Sequence, residues 1–196
     1  MNDDSGIYHD GNRELQDKFD SRRIADRLER VTLHGQFTES DRAFIEAADM
    51  FFLATADADG WPDVSYKGGR PGFARVLSDE RTLVFPSYDG NGMYRSMGNI
   101  ATNPRVGLLF IDFERSSRLR VKGTATLYRD PATLADWPGA ELLVSVLVDK
   151  VFLNCPRYVH RMAVAELSAF APGGGHVPPE PEWKDRPEFK PYLPRR

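Results

Sequence analysis

Residues 118–128 read Arg-Leu-Arg-Val-Lys-Gly-Thr-Ala-Thr-Leu-Tyr. Leu119, Val121, Gly123, Ala125 and Leu127 fall on one side of an extended chain; Arg118, Arg120, Lys122, Thr124 and Thr126 fall on the other. A period of two belongs to β-structure, so this is a strand with one apolar and one polar face. Just upstream, Val106 to Phe113 is almost wholly apolar and of strand length. Two strands joined by so short a turn pair antiparallel.

The same texture extends in both directions. Met50 to Ala56 is an apolar run, Asp57-Ala58-Asp59-Gly60 is a turn signal, and Asp63 to Lys67 returns. Phe73 to Leu77 and Thr82 to Phe85 flank the turn Ser78-Asp79-Glu80-Arg81. Met93 to Thr102 is a short helix stopped by Asn103-Pro104. Asp130-Pro131 opens a helical turn. Leu142 to Leu153 fits a strand or a buried helix, and Val159 to Phe170 reads as a last strand.

Before the strands, residues 12–31 carry Leu15, Phe19, Ile24, Leu28 and Val31 as one helical stripe. Thr38 and Asp41 have capping-box spacing at the start of a second helix. The organisation is an N-terminal arm and helix (1–37), a strand-rich domain (38–170) and a Pro-rich tail (171–196). Many short antiparallel strands in one domain predict a mostly β fold, a barrel with peripheral helices that closes to remove its edges.

Composition narrows the function. The 196 residues suit one domain plus trimmings, with a formal net charge of -3 and 41% hydrophobic residues. Basic residues form no long stripe, which argues against a nucleic-acid partner. No apolar run reaches the roughly 18 residues of a membrane span. Cys155 is the only cysteine, so no disulfide forms within the chain, and a cytoplasmic location is expected. The four histidines are scattered, so no metal site is expected. Gly-x-Gly-x-x-Gly, P-loop and Gly-x-Ser-x-Gly patterns are missing.

Four stretches carry chemistry. In Phe85–Pro104 a strand leads through Asp89-Gly90-Asn91-Gly92 into a helix. Met93, Met97, Ile100 and Ala101 share the face expected to pack inward; Asn91, Arg95 and Asn99 line the other, with Ser96 at the boundary. Glycine-freed backbone, a helix N-terminus and a guanidinium together suit a phosphomonoester. The alternative is a solvated helix face. Ser65-Tyr66-Lys67-Gly68-Gly69 offers a second cation for that phosphate, or only a wet strand and a turn. Arg118, Arg120 and Lys122 are either an outer wet face or, at Arg118, a cofactor contact across a subunit boundary. In Asn154-Cys155-Pro156-Arg157-Tyr158, Cys155 is a packing residue or a nucleophile, with His160 the one candidate activator.

The runs at 52–62, 65–73, 83–93, 98–110 and 118–125 resemble the pyridoxamine 5'-phosphate oxidase-like proteins that bind flavin mononucleotide (FMN). Asn-Cys-Pro-Arg-Tyr (154–158) resembles a subset of them. The resemblance implies an antiparallel Greek-key split barrel, a homodimer and FMN at its interface. It implies Ser65, Tyr66 and Lys67 along the flavin and its phosphate, and Ser87 near the ring. It places Asn91, Met93, Arg95, Ser96 and Asn99 around the phosphate, with Arg118 reaching in from the neighbouring subunit. The resemblance is to the family and not to the true oxidase, whose closing Trp and Arg-His segment is replaced here by a Pro-rich end. The function expected is FMN-dependent oxidoreduction of a small molecule. The alternative is a non-catalytic flavin or haem carrier or sensor.

Overall fold

The alternation of residues 118–128 becomes the middle of one antiparallel sheet. The computed structural model describes residues 6–194. Its elements in order are α1 (Asp10–Lys18), α2 (Arg22–Thr32), β1 (Leu33–His34), α3 (Glu39–Ala47), β2 (Met50–Ala56), β3 (Pro62–Gly68), β4 (Arg75–Val76) and β5 (Thr82–Tyr88). Next come α4 (Arg95–Thr102), β6 (Arg105–Asp112), β7 (Ser117–Tyr128), α5 (Pro131–Leu134) and β8 (Ala140–Asn154), and single 3-10 turns at Glu182–Asp185 and Lys190–Tyr192. The strand order is β3-β2-β6-β7-β8-β5-β4, with β1 also on β8. Strands β5 to β8 thus wind as a Greek key, with the long β5–β6 connection holding α4.

Leu119, Val121 and Ala125 of β7 face a core shared with Val144, Val146 and Val148 of β8. The stretch that fitted strand or helix is therefore strand. Its β-branched residues pack on a pleated surface with neighbours on both sides. Gly123 sits where β7 shifts register against β8, and a Cβ there would lie 2.4 Å from the Leu147 carbonyl oxygen. Phe51 of β2 meets Phe110 of β6 at 4.8 Å and Phe85 of β5 at 4.9 Å between ring centroids. The sheet therefore rolls until distant strands share one core.

Four expectations are corrected. First, hydrogen bonding does not close the barrel: β3 and β4 are the two ends of the path among the described residues. The Gly68–Gly72 turn and the Asp79 turn leave β4 only two residues long, so the expected strand Phe73–Leu77 shrinks to Arg75–Val76. Second, the helix read over 12–31 breaks between Lys18 and Arg22, where Asp20 has φ 50°. The pair is tied by polar contacts such as Arg13 Nη1 to Asp26 Oδ1 at 2.6 Å, and its stripe from Leu15 to Val31 faces outward. Third, Val159–Phe170 forms no strand. The chain turns at Tyr158 (φ 69°), and the segment after it lies on the β6–β7 turn by isolated bonds such as Met162 N–H to the Phe113 carbonyl. Fourth, α4 starts at Arg95, so Met93 precedes the helix and is exposed rather than packed inward.

The capping box on α3 forms as its spacing implied. Thr38 Oγ1 accepts from the Asp41 N–H at 3.2 Å, and the Asp41 carboxylate accepts from the Thr38 N–H at 2.8 Å. A smaller cluster of Val84, Trp137 and Leu143 covers the outer side of the β5–β8 pair, with the Arg75 guanidinium 4.3 Å above the Trp137 ring. The tail is pinned where Lys184 bonds Asp89 and Glu180. No described helix is long and apolar enough to cross a membrane.

Phe51→Ala is expected to lower the unfolding free energy by about 3–5 kcal/mol in a denaturant titration, through lost burial plus the cavity left behind. Phe19→Ala, on the outward stripe, is expected to change it by only about 0.5 kcal/mol.

Candidate functional site

In the β2–β3 pair, Thr55 faces Asp63, Leu53 faces Ser65 and Phe51 faces Lys67. Side chains two apart share a face, so Asp63, Ser65 and Lys67 all point to the core side of β3. Helix α4 lies against that side, anchored by buried Met97 and Ile100. Three polar contacts join helix and strands: Arg95 Nη2 to Asp63 Oδ1 at 3.1 Å, Ser65 Oγ to Ser96 Oγ at 2.9 Å, and Asn99 Nδ2 donating to Thr55 Oγ1 at 3.0 Å. The entry to α4 is built for a tight approach. Asn91 Oδ1 accepts from the Met93 N–H at 3.1 Å, Gly92 has φ 75° and Tyr94 φ 47°. The Tyr94 side chain does not cap α4, so the N–H donors of its first turn gain no bond from the N-cap residue.

Lys67 differs from its neighbours. It is half-buried and makes no ion pair or hydrogen bond among the described residues. Burial pushes its pKa below the ordinary lysine value, and Asp63 pushes it partly back. A part-buried ammonium without a partner is costly, and an anion would relieve it.

The other residues singled out by sequence lie apart from this seam. Tyr66 points to the opposite side of β3, is 62% exposed, and meets Phe52 edge-on at 6.1 Å. Burial, then Asp49, pushes its phenol pKa up. Ser87 is half-buried near the end of β5, opposite Leu142. Asn91 and Met93 are exposed in the loop before α4. Arg118 is on the outer side of β7, opposite Ile111 and Asn154 and away from Lys67. Its Nε and the Asn154 Oδ1 are both buried without a hydrogen-bond partner among the described residues. Cys155 is exposed, and its sulfur accepts only from the Arg157 N–H at 3.5 Å. That arrangement supplies no base for a nucleophile. The described residues hold no cluster of metal ligands.

Two members of the seam, Asp63 and Thr55, do not stand out in the sequence. The signal was present in the spacing of Asp63, Ser65 and Lys67 at every second position, which puts a carboxylate in phase with the proposed cation. Where β3 ends, on the side that Tyr66 faces and with none of the seam residues in its lining, opens a cavity of about 960 Å³ lined by Tyr66, Gly68, Tyr88, Ile111, Met162 and Leu167 among others. Its size matches small-molecule sites.

Residues 37–166 match the family described as pyridoxamine 5'-phosphate oxidase. No curated protein matches the chain. Among solved structures, HupZ of Group A Streptococcus is 21% identical with a TM-score of 0.48, over 65% of this chain and 99% of that one. A candidate pyridoxamine 5'-phosphate oxidase of Lactobacillus delbrueckii is 25% identical with a TM-score of 0.49, over 61% and 95%. HutZ, a haem storage protein of Vibrio cholerae, is 18% identical with a TM-score of 0.42, over 60% and 94%.

Lys67→Met is expected to raise the thermal midpoint of the ligand-free protein, since it replaces a desolvated charge with an apolar chain of similar length. Because the folded-state pKa of Lys67 is lowered, the unfolded chain binds more protons between that value and the ordinary lysine value. Stability from this group therefore rises with pH through that window. Midpoints measured across alkaline pH should lose that component of slope in the variant.

Proposed function

The chain belongs to the pyridoxamine 5'-phosphate oxidase family, and from that we propose that it binds FMN, with the phosphate held between β3 and α4, for oxidoreduction of a small molecule. The observation carrying this reading is the partnerless Lys67 ammonium facing the same seam as Arg95. Two cations, the N–H groups at the start of α4 and the hydroxyls of Ser65 and Ser96 are a donor set that fits a phosphomonoester. A half-buried cation on the core side of a strand has little other use, since burying it unpaired is unfavourable.

In this reading Lys67 and Arg95 neutralise the phosphate, and Ser65, Ser96 and Asn99 orient it. Asn91 shapes the loop through its bond to the Met93 N–H. Ser87 and Tyr66 flank the ring, Tyr66 from the rim of the cavity that would take the substrate. A bound flavin supplies hydride and electron transfer, and the protein supplies position, exclusion of water and electrostatics.

The working unit in this proposal is a homodimer. Support comes from the outer side of β3-β2-β6, where Val64 and Tyr66 are 65% and 62% exposed beside half-buried Phe52, Leu109 and Ile111. An apolar sheet face of this kind calls for a cover. The partnerless Arg118 Nε and Asn154 Oδ1 lie on the outer side of the same sheet, where a second subunit would supply Arg118 to the ring.

Purified protein mixed with FMN is expected to retain flavin absorption through gel filtration, and the bands should bleach with a reduced nicotinamide. A Soret band in place of flavin bands would instead favour the haem carrier, and flavin bands that resist every reductant would favour a carrier or sensor. Arg95→Ala is expected to weaken FMN binding by about 1–2 kcal/mol in a fluorescence titration, a modest figure because the guanidinium is 65% exposed.

A further inference from the structure

The seam contains a charge that the phosphate reading does not use. Asp63 is in phase with Ser65 and Lys67 on the core side of β3, and its side chain is 19% exposed. Its carboxylate holds the Arg95 guanidinium at 3.1 Å. The contacts Ser65–Ser96 and Thr55–Asn99 lie on the same face, so Asp63 is one rung of a ladder joining helix to strands. An anion entering between Lys67 and Arg95 would meet a carboxylate already there.

We propose that Asp63 is a built-in competitor for Arg95: it holds the guanidinium until a doubly charged phosphomonoester displaces it, and so weakens the binding of that phosphate. This rests on the phosphate reading above. With Asp63 ionised, the two cations and one carboxylate leave a single net positive charge in the seam. A neutral ligand has nothing to offer Arg95 that Asp63 does not already supply. A monoanion exchanges one single-charge partner for another and gains little. A dianionic phosphate offers more charge and more acceptor oxygens than one carboxylate, and can take Arg95 in two-point contact while also engaging Lys67. In the structure Asp63 is the acceptor that the Arg95 guanidinium holds. Asp63 therefore stabilises the ligand-free protein and weakens the complex.

The test compares FMN with riboflavin, which shares the ring and lacks the phosphate, by quenching of flavin fluorescence. Asp63→Asn keeps size and removes charge; Asp63→Ser keeps a short polar strand residue should the first variant fold poorly. Both are checked by thermal midpoint, which is expected to fall slightly. FMN is expected to bind roughly five- to tenfold more tightly to either variant, the scale of a part-exposed ion pair. Riboflavin affinity is expected not to change. In an Arg95→Ala background Asp63→Asn should no longer tighten FMN through Arg95, so the gain should shrink markedly. Wild-type protein that holds FMN no more tightly than riboflavin removes the phosphate reading and this inference with it. A wild-type preference for FMN that both variants leave unchanged or reduce overturns this inference alone, and assigns Asp63 to positioning Arg95 instead.

Discussion

Phe51 lies against Phe110 on the neighbouring strand and against Phe85 on a strand four places further along the sheet. That contact requires the sheet to roll over on itself. A flat sheet of these strands would leave the phenylalanines in water, and burying each is worth roughly 1.5–3 kcal/mol. The roll makes one side of every strand interior. It also decides what becomes of β3, whose core side is polar rather than apolar. Asp63, Ser65 and Lys67 cannot join the aromatic core, so α4 covers them and answers each polar group it can reach.

The candidate site is thus a consequence of packing as much as of chemistry. Helix α4 is held by Met97 and Ile100, which enter the core like any apolar side chains. Their insertion fixes the height of Arg95, Ser96 and Asn99 above β3 and β2. Polar groups at that depth are unfavourable unless paired. Asp63, Ser65 and Thr55 answer the three helix side chains one for one, leaving Lys67 as the exception. Burial lowers its pKa, and among the described residues no carboxylate forms an ion pair with it. The proposed phosphate site rests on this residue, set in a seam of hydroxyls and a guanidinium, and the proposed competition by Asp63 acts at the same place.

The outer surfaces follow a different logic. One side of the β5–β8 pair is covered within the chain by Trp137 and Leu134, with Arg75 stacked on the indole. The opposite end, around Val64 and Tyr66, has no such cover from this chain among the described residues. The tail takes no part in the sheet, yet it reaches the loop that opens α4, because Lys184 finds Asp89 there. The loop before the candidate phosphate helix is thereby tied to a segment far along the chain.

Strand identity was legible wherever the period was unambiguous. Residues 50–56, 62–68 and 117–128 are strands because alternation or a short apolar run between turn signals leaves one solution, and Thr38 with Asp41 marks a helix start by local bonding alone. Arg95, Ser96, Asn99, Ser65 and Lys67 stand out in the sequence by type, and the structure ties the first four across α4, β3 and β2. Other features depend on partners distant in the chain. Val159–Phe170 has the residues of a strand, but the turn at Tyr158 lays it on the β6–β7 turn rather than along an edge of the sheet. Residues 140–154 are strand because β5 and β7 stand on either side. The apolar stripe of α1 and α2 has the pattern of a core face, yet polar ties between the two helices turn it outward. Asp63 looks like an ordinary turn-proximal acid until the roll of the sheet brings Arg95 to it. Local sequence sets period, caps and turns because these act over a few bonds. Which groups meet across the fold is set by how the whole apolar surface can be buried at once, and no stretch of the chain contains that information alone.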